Sequence, residues 1–154
     1  MQRERYIKKE EFEEKVVDLR RVTRVVAGGK RFRFRATVVI GDMKGRVGVG
    51  VAKGLDVAGA VGKAKVDAKK SLLHLSLVDN RTIRHEVKAK YSAAEVIIKP
   101  AKEGSGLKAG GAVRVVLAMA GVKDASAKCL GRTPNKLTNA LATIEALKMI
   151  KSNR

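Results

Sequence analysis

The sequence of 154 residues has little of several residue types: no tryptophan, three phenylalanines, two tyrosines, two prolines and one cysteine. Disulfide frameworks and cysteine-ligated zinc sites each need several thiols, so the single Cys129 excludes both and favours a reducing, cytosolic compartment. Interfaces anchored on Trp or Tyr are also disfavoured. We therefore expect a core of Val, Leu, Ile and Ala.

Long apolar runs are absent as well. No stretch approaches the about 20 apolar residues that a membrane-spanning helix needs, and the first residues are charged from Arg3 onward, without an apolar signal core. Peripheral membrane binding requires a helix with bulky apolar side chains, whereas the helices expected here offer Ala and Val. We expect a soluble cytoplasmic protein without a membrane partner.

Acidic residues are few: 15 Asp and Glu stand against 34 Lys and Arg, which gives a formal net charge of +19. Residues 1–78 hold 19 basic and 9 acidic residues, and residues 79–154 hold 15 and 6. This even spread predicts surfaces on both halves that face a polyanion. The densest basic run is Arg20 to Arg35, with seven basic and no acidic residues. By itself it could be a solvated surface, but with the total charge it favours nucleic acid.

The first half has the pattern of three strands and a helix. Residues 30–40 alternate between an apolar and a basic side, which predicts a half-buried strand. A turn at 41–45 and alternating Val and Gly after it complete a hairpin, and residues 16–26 supply a third strand. Asp56 is a candidate N-cap for a helix with an Ala-rich apolar stripe.

The second half repeats strands and helices in a different order. We predict strands at 83–91, 95–99 and 128–130, a glycine-rich loop at 103–111, a helix at 112–120 and a last helix that Pro134 opens. The fold class is therefore α+β with two small domains, 1–78 and 79–154. Residues 1–10 are a candidate disordered segment.

Two glycine-rich segments have part of the pattern of a nucleotide site. Gly106 to Gly111 has the glycine spacing of a Walker loop, but Ala112 and Val113 follow where that chemistry needs Lys and Ser or Thr. Gly48, Gly50 and Gly54 miss the dinucleotide spacing and indicate close backbone approach instead. Neither segment predicts a phosphate-transferring enzyme.

No other residues suggest catalysis or metal binding. His74 and His85 have no Asp or Glu at a catalytic or metal-ligating spacing, and the acidic residues form no pair suited to acid–base work. We expect no enzymatic activity, no cofactor and no metal.

The strand around Phe32 and Phe34 has the aromatic spacing of an RNA-recognition strand, in which rings stack on bases. The glycines of that motif are missing, and the apolar side continues beyond both rings, which predicts that they pack on the helix after Asp56. The opposite side carries Arg31, Arg33 and Arg35, which suit phosphate contacts or stacking.

The second glycine segment leaves alternatives open. Its amides, at the start of a helix, could contact RNA phosphate, or the segment could be a turn that joins strand to helix. Arg114 in the first helical turn could contact phosphate or a protein carboxylate.

Two long motifs carry a resemblance to a known family. The first is Gly28-Gly29-Lys30-Arg31-Phe32-Arg33-Phe34-Arg35-Ala36, followed by Val38-Val39-Ile40-Gly41-Asp42 and Gly45-Arg46-Val47-Gly48-Val49-Gly50. The second is Ile98-Lys99-Pro100-Ala101, followed by Glu103-Gly104-Ser105-Gly106, Ala109-Gly110-Gly111-Ala112-Val113-Arg114 and Ala120-Gly121-Val122. Over nearly its whole length the chain resembles the bacterial-type small ribosomal subunit protein S-five family.

The resemblance implies a first domain like a double-stranded-RNA-binding domain, with a three-stranded sheet and a helix. It implies a second domain, a β/α sandwich, with the fold of translocation-factor and small-molecule-kinase domains, and this fold kinship transfers no activity. It also implies a structural role where the body and head of the small ribosomal subunit meet. There the family binds ribosomal RNA, packs against ribosomal proteins four and eight, lines the channel through which messenger RNA enters and affects decoding accuracy.

The resemblance also implies site residues. RNA contacts are implied at Arg20, Arg21, Arg24, Gly28, Gly29, Lys30, Arg31, Arg33, Arg35, Lys44, Arg46 and Lys53. A protein interface that tunes accuracy is implied at Gly104, Gly106, Gly110, Gly111 and Arg114. The chain departs from the family pattern at Lys53–Asp56 and Arg132–Asn135, where local contacts are expected to differ.

The alternative from the first half alone is a free-standing double-stranded-RNA-binding protein or RNA chaperone. A phosphate-transferring enzyme ranks third. The second motif separates the ribosomal reading from the RNA-binding alternative, because it lies outside the half that such a protein would need.

Overall fold

The computed structural model describes residues 12–150, which form eight strands and three helices. The candidate disordered segment 1–10 lies outside the described residues. The first half contains β1 Glu13–Val26, β2 Gly29–Gly41, β3 Arg46–Gly54, α1 Val57–Lys70 and β4 Leu73–His74. The second half contains β5 Val87–Tyr91, β6 Ala94–Pro100, β7 Leu107–Lys108, α2 Gly111–Met119, β8 Ala125–Cys129 and α3 Lys136–Lys148. None of these three helices is long and apolar enough to cross a membrane.

The first sheet is antiparallel in the order β1-β2-β3-β4, with α1 packed on one face. The apolar side of β2 is buried against an alanine stripe of α1, because side chains alternate along a strand and recur every three to four residues along a helix. The buried members of this cluster are Ala36, Val38, Ile40, Ala60, Ala64 and Ala68. The predicted three strands and helix are confirmed, and β4 adds a two-residue strand at the edge.

Helix α1 lies unusually close to β3 because both contact surfaces lack bulk. A Cβ atom added at Gly50 would lie 2.2 Å from the carbonyl oxygen of Ala64, and one at Gly48 would lie 2.5 Å from that of Ala68. These distances are too short for any side chain, so the prediction that these glycines permit close backbone approach is confirmed. Asp56 is the predicted N-cap, and its carboxylate accepts a hydrogen bond of 3.2 Å from the amide of Gly59.

One core assignment of the first half is wrong. Phe34 is half-buried against the α1 cluster, but Phe32 is 45% exposed. Phe32 points to the same side as α1, since it continues the alternation of β2, but α1 does not cover this outer part of the hairpin. The guanidinium of Arg21 lies over its ring instead, 3.8 Å from the centroid.

The second sheet has the order β5-β6-β8-β7, and α2 and α3 cover one of its faces. The short strand β7 lies inside the segment predicted as a loop and pairs in parallel with β8. Strand β5 begins at Val87 rather than at 83, and His85 and Tyr91 are exposed. The cap of α3 is Asn135, which accepts a 3.1 Å hydrogen bond from the amide of Leu137, so Pro134 precedes the cap and does not open the helix.

The two halves share a core. Val39, Val47 and Val49, on the face of the first sheet opposite α1, belong to the buried cluster of the second half. Backbone bonds reinforce the contact: the amides of Met43 and Gly45 donate to the carbonyl oxygens of Met119 and Ala120 at 3.1 and 3.0 Å. The second half therefore covers the inner part of this face and leaves only the outer hairpin open. A domain boundary at residue 78 stays a prediction.

Candidate nucleic-acid interface

Basic side chains occupy the uncovered part of the first sheet, on the face opposite α1. The register places Arg24 opposite Arg31 and Lys53 opposite Arg35, with Arg33 one step along the same face. We call Arg24, Arg31, Arg33 and Lys53 the hairpin basic face. All four are exposed, and none has an acidic partner among residues 12–150.

The hairpin basic face is a shallow groove rather than a plane. Val22 and Val26 line it together with the four cationic side chains. The cationic groups can bind a phosphate backbone. The valines can pack against the aliphatic parts of the arginine and lysine side chains.

Arg20 and Arg35 belong to a different environment, although they were predicted as RNA contacts with their neighbours. Both lie beside Asp18, which is only 8% exposed: the carboxylate is 2.7 Å from Nε of Arg20 and 4.0 Å from the guanidinium of Arg35. Nζ of Lys136 on α3 lies 3.9 Å from the same carboxylate. The side chain of Arg35 is 27% exposed, and Lys136 brings the second half to the same carboxylate.

The predicted contacts also divide between the two faces of the hairpin. Arg21 stacks on Phe32 on the side of α1, while Arg24 projects from the opposite side. Cation–π contacts of this kind orient an arginine without neutralising it. At the tip, Gly28, Gly29 and Lys30 are exposed, and the φ of +133° at Gly29 is one that L side chains rarely adopt.

Lys44 and Arg46 lie at the other end of β2, about 40 Å from the tip, since a strand rises about 3.3 Å per residue. Asp42 accepts bonds from the amides of both residues, at 2.8 and 2.9 Å, and its carboxylate lies 2.6 Å from Nε of Arg46. Burial raises the pKa of Asp42, but these hydrogen bonds outweigh it and hold that pKa below its ordinary value. The side chain of Arg46 is thus bound by Asp42 of the same chain, whereas Lys44 is exposed.

The glycine loop is anchored by two residues that sequence reasoning missed. Asp124 accepts a 2.9 Å hydrogen bond from the amide of Gly106 and lies 3.0 Å from Nε of Arg81. Arg81 also pairs with Glu103 on the loop. The bond from Gly106, followed by the contact with Arg81, lowers the pKa of Asp124, and the bond to Asp124 raises the pKa of Arg81. No motif marks this pair, because 42 residues separate its members and only the fold brings them together.

The other residues predicted at the protein interface surround this anchor. Gly104 and Gly106 have φ of +80° and +72°, and Gly110 begins α2 without a side-chain cap. Gly110 and Gly111 are exposed, as is Arg114 in the first turn. Arg114 borders a shallow hollow with Lys108, Gly110 and Lys128, so this end of the second half is cationic.

Potential metal ligands are dispersed over the described part of the chain. Between residues 12 and 150 no group of three or more His, Cys, Asp or Glu side chains could hold a metal ion. His74 and His85 are both exposed.

Comparison with protein families gives two matches that together cover most of the chain. Residues 12–76 match the model for "Ribosomal protein S5, N-terminal domain", and residues 89–154 match that for "Ribosomal protein S5, C-terminal domain". The first match contains the hairpin basic face, and the second contains the glycine loop with Arg114.

Comparison with curated proteins gives many similar chains. The small ribosomal subunit protein uS5c of Spinacia oleracea is 52% identical over 91% of this chain, which spans 45% of that longer protein. The uS5c of Cyanidium caldarium is 50% identical, with 90% of this chain and 82% of the relative covered. The uS5 of Synechococcus elongatus is 48% identical, with 94% and 80% covered. These are ribosomal proteins and not enzymes, in agreement with the sequence prediction, and the chain belongs to the ribosomal protein S5 family.

Proposed function

We propose that the protein is a structural constituent of the small ribosomal subunit and binds ribosomal RNA through the hairpin basic face. The observation that carries the proposal is the set of four exposed cations on one uncovered face, without acidic partners among residues 12–150. Side chains cannot read the narrow major groove of A-form RNA. The hairpin basic face therefore recognises RNA by its phosphates and backbone shape. Its three arginines and one lysine are suited to phosphate contacts.

The position in the ribosome is proposed from the family resemblance. There the hairpin lies against RNA where body and head meet, and the protein contacts ribosomal proteins four and eight and lines the channel through which messenger RNA enters. We propose that the loop around Gly106 and Arg114 is the accuracy-tuning contact with protein four, and that the ribosomes are cytoplasmic. Lys44 lies too far from the hairpin tip to share the RNA contact of the hairpin basic face, so it contacts a separate RNA phosphate.

Sedimentation of an extract tests the proposal. An epitope-tagged chain should travel with the small subunit through a density gradient, and a variant with Arg31 and Arg33 replaced by Gln should move toward the ribosome-free fractions. The matched control replaces Lys63 and Lys69, two exposed lysines of α1, by Gln and should sediment like the wild type. Recovery of wild-type protein only in ribosome-free fractions would overturn the proposal, and RNA in those fractions would favour the free-standing RNA-binding alternative.

A further inference from the structure

The open face of the second sheet carries exposed lysines, two of which, Lys108 and Lys128, also border the hollow beside Arg114. Helices α2 and α3 pack on one face only, so alternate residues of the strands are left on the other. Five lysines share this outer face: Lys88, Lys90, Lys99, Lys108 and Lys128. All five are exposed. We call them the lysine face.

The register sets the spacing of the lysine face. Lys88 and Lys128 flank Ile97 in one row across the sheet, and Lys99 and Lys108 flank Ser126 in the next. Neighbouring strands lie about 5 Å apart and rows about 7 Å apart. The cations therefore form a flat array of point charges about 15 Å wide across the four strands, rather than a pocket.

Acidic residues neutralise only part of this charge. Glu95 lies 2.9 Å from Nζ of Lys88, and Glu86 lies 3.1 Å from Nζ of Lys99. Both pairs are exposed, so water and salt screen them. Lys90, Lys108 and Lys128 have no acidic partner among residues 12–150, and the face retains a net positive charge.

We infer that the lysine face is a second RNA-binding surface that contacts phosphates of a backbone segment. Protein interfaces are depleted in Lys and enriched in aromatic residues and Arg, whereas this face has five lysines and no aromatic side chain among its paired strand residues. Lysine acts on phosphate as a mobile point charge and needs no fixed geometry. The inference rests on the proposed function only in taking RNA as the ligand, because the surface lies on the other half of the chain from the hairpin.

Salt titration of RNA binding tests the inference. The variant replaces Lys90, Lys108 and Lys128 by Gln, which leaves both ion pairs intact. The control replaces Lys63, Lys69 and Lys70 of α1 by Gln, with the same change in net charge. The probe is an RNA duplex of about 16 base pairs, the length that a double-stranded-RNA-binding domain spans. Each lost phosphate contact lowers the slope of log K against log salt by about 0.7 to 0.9, so the variant should lose about 2 to 3 and the control should keep the wild-type slope.

Equal slopes for variant and control would overturn the inference. Arg31→Gln with Arg33→Gln is made alone and together with the triple lysine change, and the three variants separate the two proposals. If only the hairpin change lowers the salt slope, RNA binding by the hairpin basic face stands and the lysine face is ruled out. If only the lysine change lowers it, the lysine face binds RNA and the hairpin basic face does not.

Acetylation footprinting identifies the ligand. RNA should protect the amines of Lys90, Lys108 and Lys128 from acetic anhydride, whereas polyglutamate of equal charge should protect them less. Stronger protection by polyglutamate would show that the partner is an acidic protein and would overturn the assignment to RNA.

Discussion

The amide of Gly106 donates a 2.9 Å hydrogen bond to Oδ1 of Asp124, and this bond ties the glycine loop to the start of β8. Arg81 holds the other carboxylate oxygen and also reaches Glu103 at the far side of the loop. The conformation of the loop therefore depends on a charge that lies outside it.

Asp124→Asn should destabilise the protein at neutral pH and less in acid. The pKa of Asp124 is lowered from its ordinary value of 3.8, so its stabilising effect is present above that value and is lost as pH falls through the folded-state pKa. Urea denaturation against pH should show the wild-type and variant curves converging below about pH 4. Asp79→Asn makes the same charge change at an exposed position and should show little effect. A gap between wild type and Asp124→Asn that stays constant into acid would contradict the ionic role of Asp124.

Gly50→Ala should lower the free energy of unfolding by about 1 to 3 kcal/mol or more, because the new Cβ would lie 2.2 Å from the carbonyl oxygen of Ala64 and force the helix and strand apart. Gly62→Ala is the matched control. Apart from the backbone of α1 itself and the adjacent residues, nothing lies within 4 Å of its added Cβ, and Ala is favoured over Gly within a helix by about 1 kcal/mol. Thermal denaturation should therefore give opposite shifts for the two variants. A stable Gly50→Ala protein would show that α1 can move away from β3 at little cost.

Arg33→Ala and Arg35→Ala should separate binding from stability, although the two residues lie two positions apart. Arg33 is exposed on the hairpin basic face, so its loss should lower the salt slope of RNA binding by about 0.7 to 0.9 and leave stability unchanged. The guanidinium of Arg35 lies 4.0 Å from the carboxylate of Asp18, so its loss should lower the free energy of unfolding in urea by up to about 1 kcal/mol, as for other loose ion pairs. The reverse pattern would mean that the hairpin basic face is misassigned.

Arg114→Ala should change decoding accuracy more than RNA affinity, since the exposed guanidinium lies at the proposed protein interface. A stop-codon readthrough reporter measures accuracy, and the salt titration measures affinity. Arg84→Ala, an exposed arginine elsewhere in the second half, is the control. Wild-type misreading in the Arg114→Ala strain would remove the residue from the accuracy contact.

Local patterns predicted most elements because they depend on short-range physics. The alternation in β2, the capping oxygen of Asp56 and the small residues of α1 each act within a few positions. Errors arose where a partner distant in sequence decides the outcome. Phe32 continues an apolar stripe, yet it is exposed because α1 ends its coverage short of the hairpin tip, and β7 forms only because β8 lies beside it.

The same distinction applies to the candidate site. Basic residues could be found from the sequence, but their faces, partners and free charge could not. Arg46 is held by Asp42 and Arg35 lies beside Asp18, while Arg33, two residues before Arg35, is exposed on the hairpin basic face.

The sequence by itself determined a strongly basic α+β protein with two long family motifs, because charge, periodicity and motif spacing are properties of the chain. Only the tertiary structure decided which cations are available. Burial of Val39 under the second half closes the inner part of the basic face, and the pairing of Asp124 with Arg81 fixes the glycine loop. Both effects come from contacts between residues far apart in the chain, and such contacts exist only once the chain has folded.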